Sequence, residues 1–132
     1  MTYTKEKVLN ISGQELDEAA AIAMGWEEKD HPGRIGNWQW MDEYEYPVYY
    51  KPDGTYIVSF GWYPSEDMMQ ALELLEYFDC VELRKSIDHD QNSIYTVQIG
   101  SVFLTTNDRE EWPKIITQAV ILATLGQGGT GE

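Results

Sequence analysis

The chain has 132 residues, 42% apolar and 24% charged, with twenty-three acids against nine bases for a formal net charge of -14. That length suits one compact domain with a core of its own, and the composition excludes a wholly disordered chain. The few bases stand singly or as the pair Arg84-Lys85, which disfavours direct nucleic-acid binding, a process driven by basic side chains releasing counterions, and docking on an anionic membrane.

The opening MTYTKEKVLN lacks the apolar core of a signal peptide, and no apolar run approaches the roughly 20 residues that span a bilayer. A cytoplasmic location is the expectation. The first predicted helix covers 13–24. Ser12 and Glu15 make an S-x-x-E capping box, and Ile11 and Leu16 occupy the positions of a hydrophobic staple. Leu16, Ala19, Ala20 and Ala23 recur at i, i+3, i+4 and i+7, giving one apolar stripe. Gly25 stands where a left-handed terminal residue is wanted. Residues 27–37, EEKDHPGRIGN, read as a polar loop.

Asn37 to Tyr63 holds ten of the seventeen aromatic rings. Within it, VYYKPDGTYIVSF predicts a hairpin turning at Pro52-Asp53-Gly54. Alternation sends Tyr56, Val58 and Phe60 to one face. Tyr56 and Phe60 are the core candidates, joined by Trp62 at the sheet end. A helix follows at 66–78, with Ser65 as N-cap, Glu66 and Asp67 in the first turn, and Met68, Ala71, Leu72 and Leu75 as its stripe, joined by Met69 and Leu74. Cys80 sits between this helix and a strand, and is expected to be a buried structural thiol. As the single cysteine it can form no intrachain disulfide. Strands are predicted around 81–87 and 94–99, joined by the turn cluster DHDQNS, with a further strand SVFLTT after Gly100. The last helix, PKIITQAVILATL, starts at Pro113, a residue suited to a first helical position. Ile116, Ala119, Val120 and Ala123 share a face, widened by Ile115 and Leu122.

The order helix, strands, helix, strands, helix predicts an α+β fold: an antiparallel β-sheet with helices packed on it, arranged as a three-layer α-β-α sandwich. One domain spans 1–125, and 126–132 is a flexible Gly-rich tail. The helix ending Ala23-Met24-Gly25-Trp26, the opening Tyr63-Pro64-Ser65 with its continuation EDMMQALELLE, the alternating strand pair and the closing ITQAVILATL resemble the phage ABA sandwich domain across roughly 12–125. The resemblance implies an α-β-α sandwich and a phage or prophage origin, and it carries no catalytic residues over. The acidic, aromatic insert around Asp42 to Tyr50 is longer than that family's pattern.

Catalytic and metal motifs are sparse. Asp88, Asp90 and Asn92 have the alternate spacing of a calcium loop, but the sixth residue is Ser93 and the twelfth Ile99, where that loop needs glycine and an acid. His31 beside Asp30 and His89 between two aspartates would need to meet in space to bind a metal. There is no G-x-S-x-G elbow, no H-E-x-x-H and no P-loop. The expectation is a non-catalytic protein with no metal and no cofactor, working by binding. Trp38, Trp40, Tyr44, Tyr46, Tyr49 and Tyr50 are too many rings to hide beside Asp42, Glu43 and Glu45, and exposed rings with a polar rim suit a binding surface. The candidate binding residues are therefore Trp38, Trp40, Asp42, Glu43, Tyr44, Glu45 and Tyr46. Their acids favour a host or phage protein with a basic surface, or a homo-oligomer contact. The alternatives are a counter-defence protein sequestering a small nucleotide-like ligand, and an enzyme of unrecognised type.

Overall fold

A computed structural model describes residues 4–31, 46–53, 55–58 and 61–126, with backbone alone at 28–31, 46–48 and 56–58. The fold is α+β, with antiparallel sheets and helices packed on them. The elements in order are α1 (Lys5–Asn10), α2 (Gly13–Ala23), β1 (Glu27–His31), β2 (Tyr46–Tyr50), β3 (Tyr56–Val58), α3 (Met68–Leu75), β4 (Val81–Ile87), β5 (Ser93–Ile99), β6 (Val102–Thr106) and α4 (Trp112–Leu125).

Helix α4 is the centre of the molecule. It touches α1, α2, α3, β5 and β6, and every residue from Ile115 to Leu122 is buried. A helix enclosed on all sides must be apolar all round, so the single face expected for it becomes the whole circumference. Its two polar residues in that run are satisfied. The Thr117 hydroxyl donates to the Pro113 carbonyl at 2.9 Å, and the Gln118 amide donates to the Val8 carbonyl at 3.2 Å, tying α4 to α1. Helix α1 is an element the sequence pattern did not announce. Thr4 caps it by accepting from the Lys7 amide, and Val8 is its one fully buried anchor.

Strands β4, β5 and β6 pair in chain order. Val97, Ile99 and Val102 are buried beneath the helices, with Val81, Leu83 and Leu104 packed beside them. The opposite face carries Glu82, Arg84, Phe103 and Thr105, all exposed. The turn from β4 to β5 is held by the Asp88 carboxylate, which accepts from the amides of Asp90 and Asn92, each at 2.9 Å. This is the polar turn expected of DHDQNS. Gly100, at φ +59, makes the tight β5–β6 turn. Cys80 is exposed, not buried: it precedes β4 on the surface, where its carbonyl accepts from the Gly100 amide.

The second sheet has the order β1-β2-β3. The predicted hairpin forms with Tyr50 opposite Tyr56, and the Lys51 amide closes the turn on the Thr55 carbonyl. Residues 27–31, expected to be loop, form a strand instead, with Glu27 opposite Tyr50 and His31 opposite Tyr46. Glu-Glu-Lys-Asp-His has little strand preference of its own, so the partner β2 supplies the reason for pairing. Helix α3 begins later than expected. Asp67, not Ser65, is the N-cap, accepting from the Met69 and Gln70 amides. Ser65 is buried and its amide donates to the Asp17 carboxylate at 2.8 Å, joining the entry of α3 to α2. Burial, the largest cause, raises the Asp17 pKa above the ordinary aspartate value; the Ser65 hydrogen bonds oppose this, and the charge of Glu66 adds to it. Met69, expected on the apolar stripe, is 72% exposed.

Candidate functional site

Helix α2 ends in a hydrogen-bonded cap that delivers the first aromatic ring. The Trp26 amide donates to the Ala21 carbonyl and the Gly25 amide to the Ile22 carbonyl, both at 3.0 Å. This is the Schellman arrangement, and it needs the left-handed Gly25 at φ +81. The chain after the cap is thus aimed so that Trp26 falls back against the core, where it is buried.

Trp62 comes to the same place from the other side. The Gln70 side chain of α3 bridges its flanks, with its oxygen accepting from the Tyr63 amide at 2.6 Å and its nitrogen donating to the Gly61 carbonyl at 3.1 Å. The Asp17–Ser65 bond secures the same segment one step later. The Trp26 and Trp62 rings lie 5.3 Å apart between centroids, tilted by 51°. Tyr49 of β2 meets Trp62 edge-on at 5.5 Å, and Tyr77 meets Trp26 edge-on at 6.4 Å. These separations lie in the range where aromatic pairs attract beyond their burial.

The two indoles form the floor of a cleft of about 430 Å³, inside the 300–1,000 Å³ range of ordinary ligand sites. Trp26, Trp62 and Leu74 make its apolar bed; Lys51, Gln70, Glu73, Glu76 and Tyr77 make its walls and rim. Gln70, Glu73, Leu74 and Tyr77 stand at i, i+3, i+4 and i+7, so α3 and the turn after it present one continuous face to the cleft. Glu73, Glu76 and Tyr77 are exposed. The Lys51 ammonium stands 5.1 Å from the Trp26 ring centroid, a cation–π contact.

Among the described residues that line this cleft, none is a predicted binding residue. Trp38, Trp40, Asp42, Glu43, Tyr44 and Glu45 lie outside the described residues, and Tyr46 is described in backbone only, as the first residue of β2 opposite His31. That end of the sheet is the one farther from the cleft, since Trp26 and Lys51 flank the Glu27–Tyr50 pair at the other end. Tyr56 and Phe60 likewise have no described side chains, whereas Trp62 is buried as expected. Tyr49, counted among the rings left for the surface, is 2% exposed, because Trp62 packs against it. The i, i+3, i+4, i+7 spacing of Gln70, Glu73, Leu74 and Tyr77 was a readable signal for the cleft wall. It runs beside the apolar stripe that dominates the same helix, and it names no partner.

Among the described residues no group of three or more His, Cys, Asp or Glu side chains is placed to hold a metal, and no helix is long and apolar enough to cross a membrane. His89 is exposed and its ring nitrogen lies 3.6 Å from the Asp90 carboxylate. Comparison with protein-family models, curated proteins and solved structures finds no match for this chain.

Proposed function

We propose that this is a non-catalytic binding protein, of phage or prophage origin, whose cleft takes a basic side chain presented by a protein partner. The observation carrying this reading is the pairing of an indole floor with a carboxylate rim: Trp26 and Trp62 below, Glu73 and Glu76 at the edge. A guanidinium or ammonium on an apolar stem matches both parts. Its stem lies on the rings, its charge meets the ring faces and the carboxylates. The formal charge of -14 speeds encounter with a basic surface. An anionic nucleotide is a poorer fit, since its phosphates would approach Glu73 and Glu76 with Lys51 as the one cation lining the cleft among the described residues.

The test is a titration with a capped Gly-Arg-Gly peptide, followed by the indole N–H resonances of Trp26 and Trp62. Both are expected to shift, and Glu73→Gln with Glu76→Gln to weaken binding about tenfold, the cost of losing about 1.4 kcal/mol of attraction. A capped Gly-Glu-Gly peptide is expected to leave both signals still. If the arginine peptide moves neither indole, the reading fails.

A further inference from the structure

The cleft already holds a cation of its own chain. The Lys51 ammonium is seated 5.1 Å from the centroid of the Trp26 ring, at a wall of the cleft. Lys51 follows β2 directly, at the start of the hairpin turn. Its amide donates to the Thr55 carbonyl at 2.8 Å, which anchors the base of the side chain while leaving its four-carbon stem free to turn. Trp26 is anchored independently through the cap of α2. The two partners of the cation–π contact therefore come from separate elements, each placed without the contact. A contact of this kind can open without unfolding anything.

Resting on the function proposed above, we propose that Lys51 is an internal competitor: its ammonium occupies the Trp26 face that an arginine of the partner takes when bound. Binding displaces Lys51 into solvent, and its charge then stands beside the incoming one. Both consequences lower the affinity of the cleft for single basic side chains. Isolated arginine or lysine residues on unrelated proteins are thereby bound only weakly, and a partner gains affinity by adding contacts elsewhere. The Trp26 face is held by Lys51 in the free protein and by the partner's side chain in the complex, and the residue controlling this is on the hairpin and not on the cleft-forming helix.

The experiment compares wild type, Lys51→Met and Lys51→Arg, each checked for an unchanged thermal melt and titrated with the capped Gly-Arg-Gly peptide while the two indole N–H signals are followed. Lys51→Met keeps an apolar stem and removes the charge; it is expected to bind the peptide about five- to tenfold more tightly than wild type, whereas Lys51→Arg keeps the competitor and gains nothing. In the free proteins, the Trp26 indole signal is expected to move in Lys51→Met while that of Trp62 stays nearly still. If Lys51→Met binds the peptide as wild type does, or more weakly, the competitor role is overturned while the cleft's taste for basic side chains survives in the wild-type titration. If neither wild type nor Lys51→Met responds to the peptide, the function and the competitor role fall together.

Discussion

The sheet β4–β6 and the sheet β1–β3 share a plan of three antiparallel strands in chain order, and are made by different means. In β4–β6 the strands alternate, and their apolar face lies under helices. Each strand would be recognised alone. In the other sheet, β1 is Glu-Glu-Lys-Asp-His and exists because β2 pairs with it. The packing differs in the same sense. Around α4 the core is aliphatic and encloses the helix from Ile115 to Leu122, whereas at the end of β1–β3 it is a set of indole and phenol rings that meet at tilted angles and leave a cleft open. Aliphatic side chains interdigitate and leave few voids; rigid flat rings held by separate segments leave concave space between them. One region is thus closed and the other leaves a cleft.

This contrast can be broken most severely at α4. Val120→Asp places an unpaired charge where there is no exposure, a cost above about 4–5 kcal/mol, and no folded protein is expected by near-ultraviolet circular dichroism. Trp62→Ala sharpens it from the other side. Removing a ring packed on Trp26 and Tyr49 costs about 3–5 kcal/mol if the site does not collapse. The variant is expected to retain the exchange-protected amides of α4 and β5 while losing the peptide response; equal loss of protection in both regions would show that they are a single cooperative unit. Gly25→Ala has nothing in its way sterically but must hold φ near +81, costing about 1–2 kcal/mol. Its urea midpoint is expected to fall and the Trp26 indole signal to move, with Trp62 little changed.

The smallest effect concerns Asp17, whose raised pKa gives it a definite sign. Below the ordinary aspartate value both folded and unfolded chains hold the proton and the shift has no effect. As pH rises, the unfolded chain ionises first, so the contribution of Asp17 to stability is lost up to its raised folded value and stays lost above it. Asp17→Asn keeps an oxygen for the Ser65 amide and removes the titration. Relative to wild type it is expected to gain stability between about pH 4 and pH 7, measured as urea midpoints at both ends; a difference independent of pH would contradict the raised pKa.

Much of the fold was legible where one residue type repeats at one period. The strands at 81–87 and 94–99, the Pro52-Asp53 hairpin, the Gly25 stop and the proline-led last helix all carry local signals. The failures share a cause. Ser65 looks like an N-cap by composition, but its hydroxyl and amide face Gly13 and Asp17, about fifty residues away, and Asp67 takes the capping role. Cys80 is small and apolar enough for a core, yet the chain surfaces there before entering β4. Tyr49 follows an acidic, aromatic stretch in sequence and packs against Trp62 in space. For Ser65 and Tyr49 the deciding partner is far along the chain, where no local pattern can point to it.

By itself the sequence determined the class of the protein: one acidic chain, α+β, with aliphatic periodicity strong enough to specify the sheet β4–β6 and the helix over it. Those properties are sums over neighbours in the chain, which periodicity and composition report directly. Only the tertiary structure decided that the helices cover one face of that sheet, that a charged pentapeptide becomes β1, and that Trp26, Lys51, Trp62 and the outer face of α3 converge on one cleft. Convergence depends on distances between segments that share no local signal, and these are set by how the buried faces fit together once the chain has closed on itself.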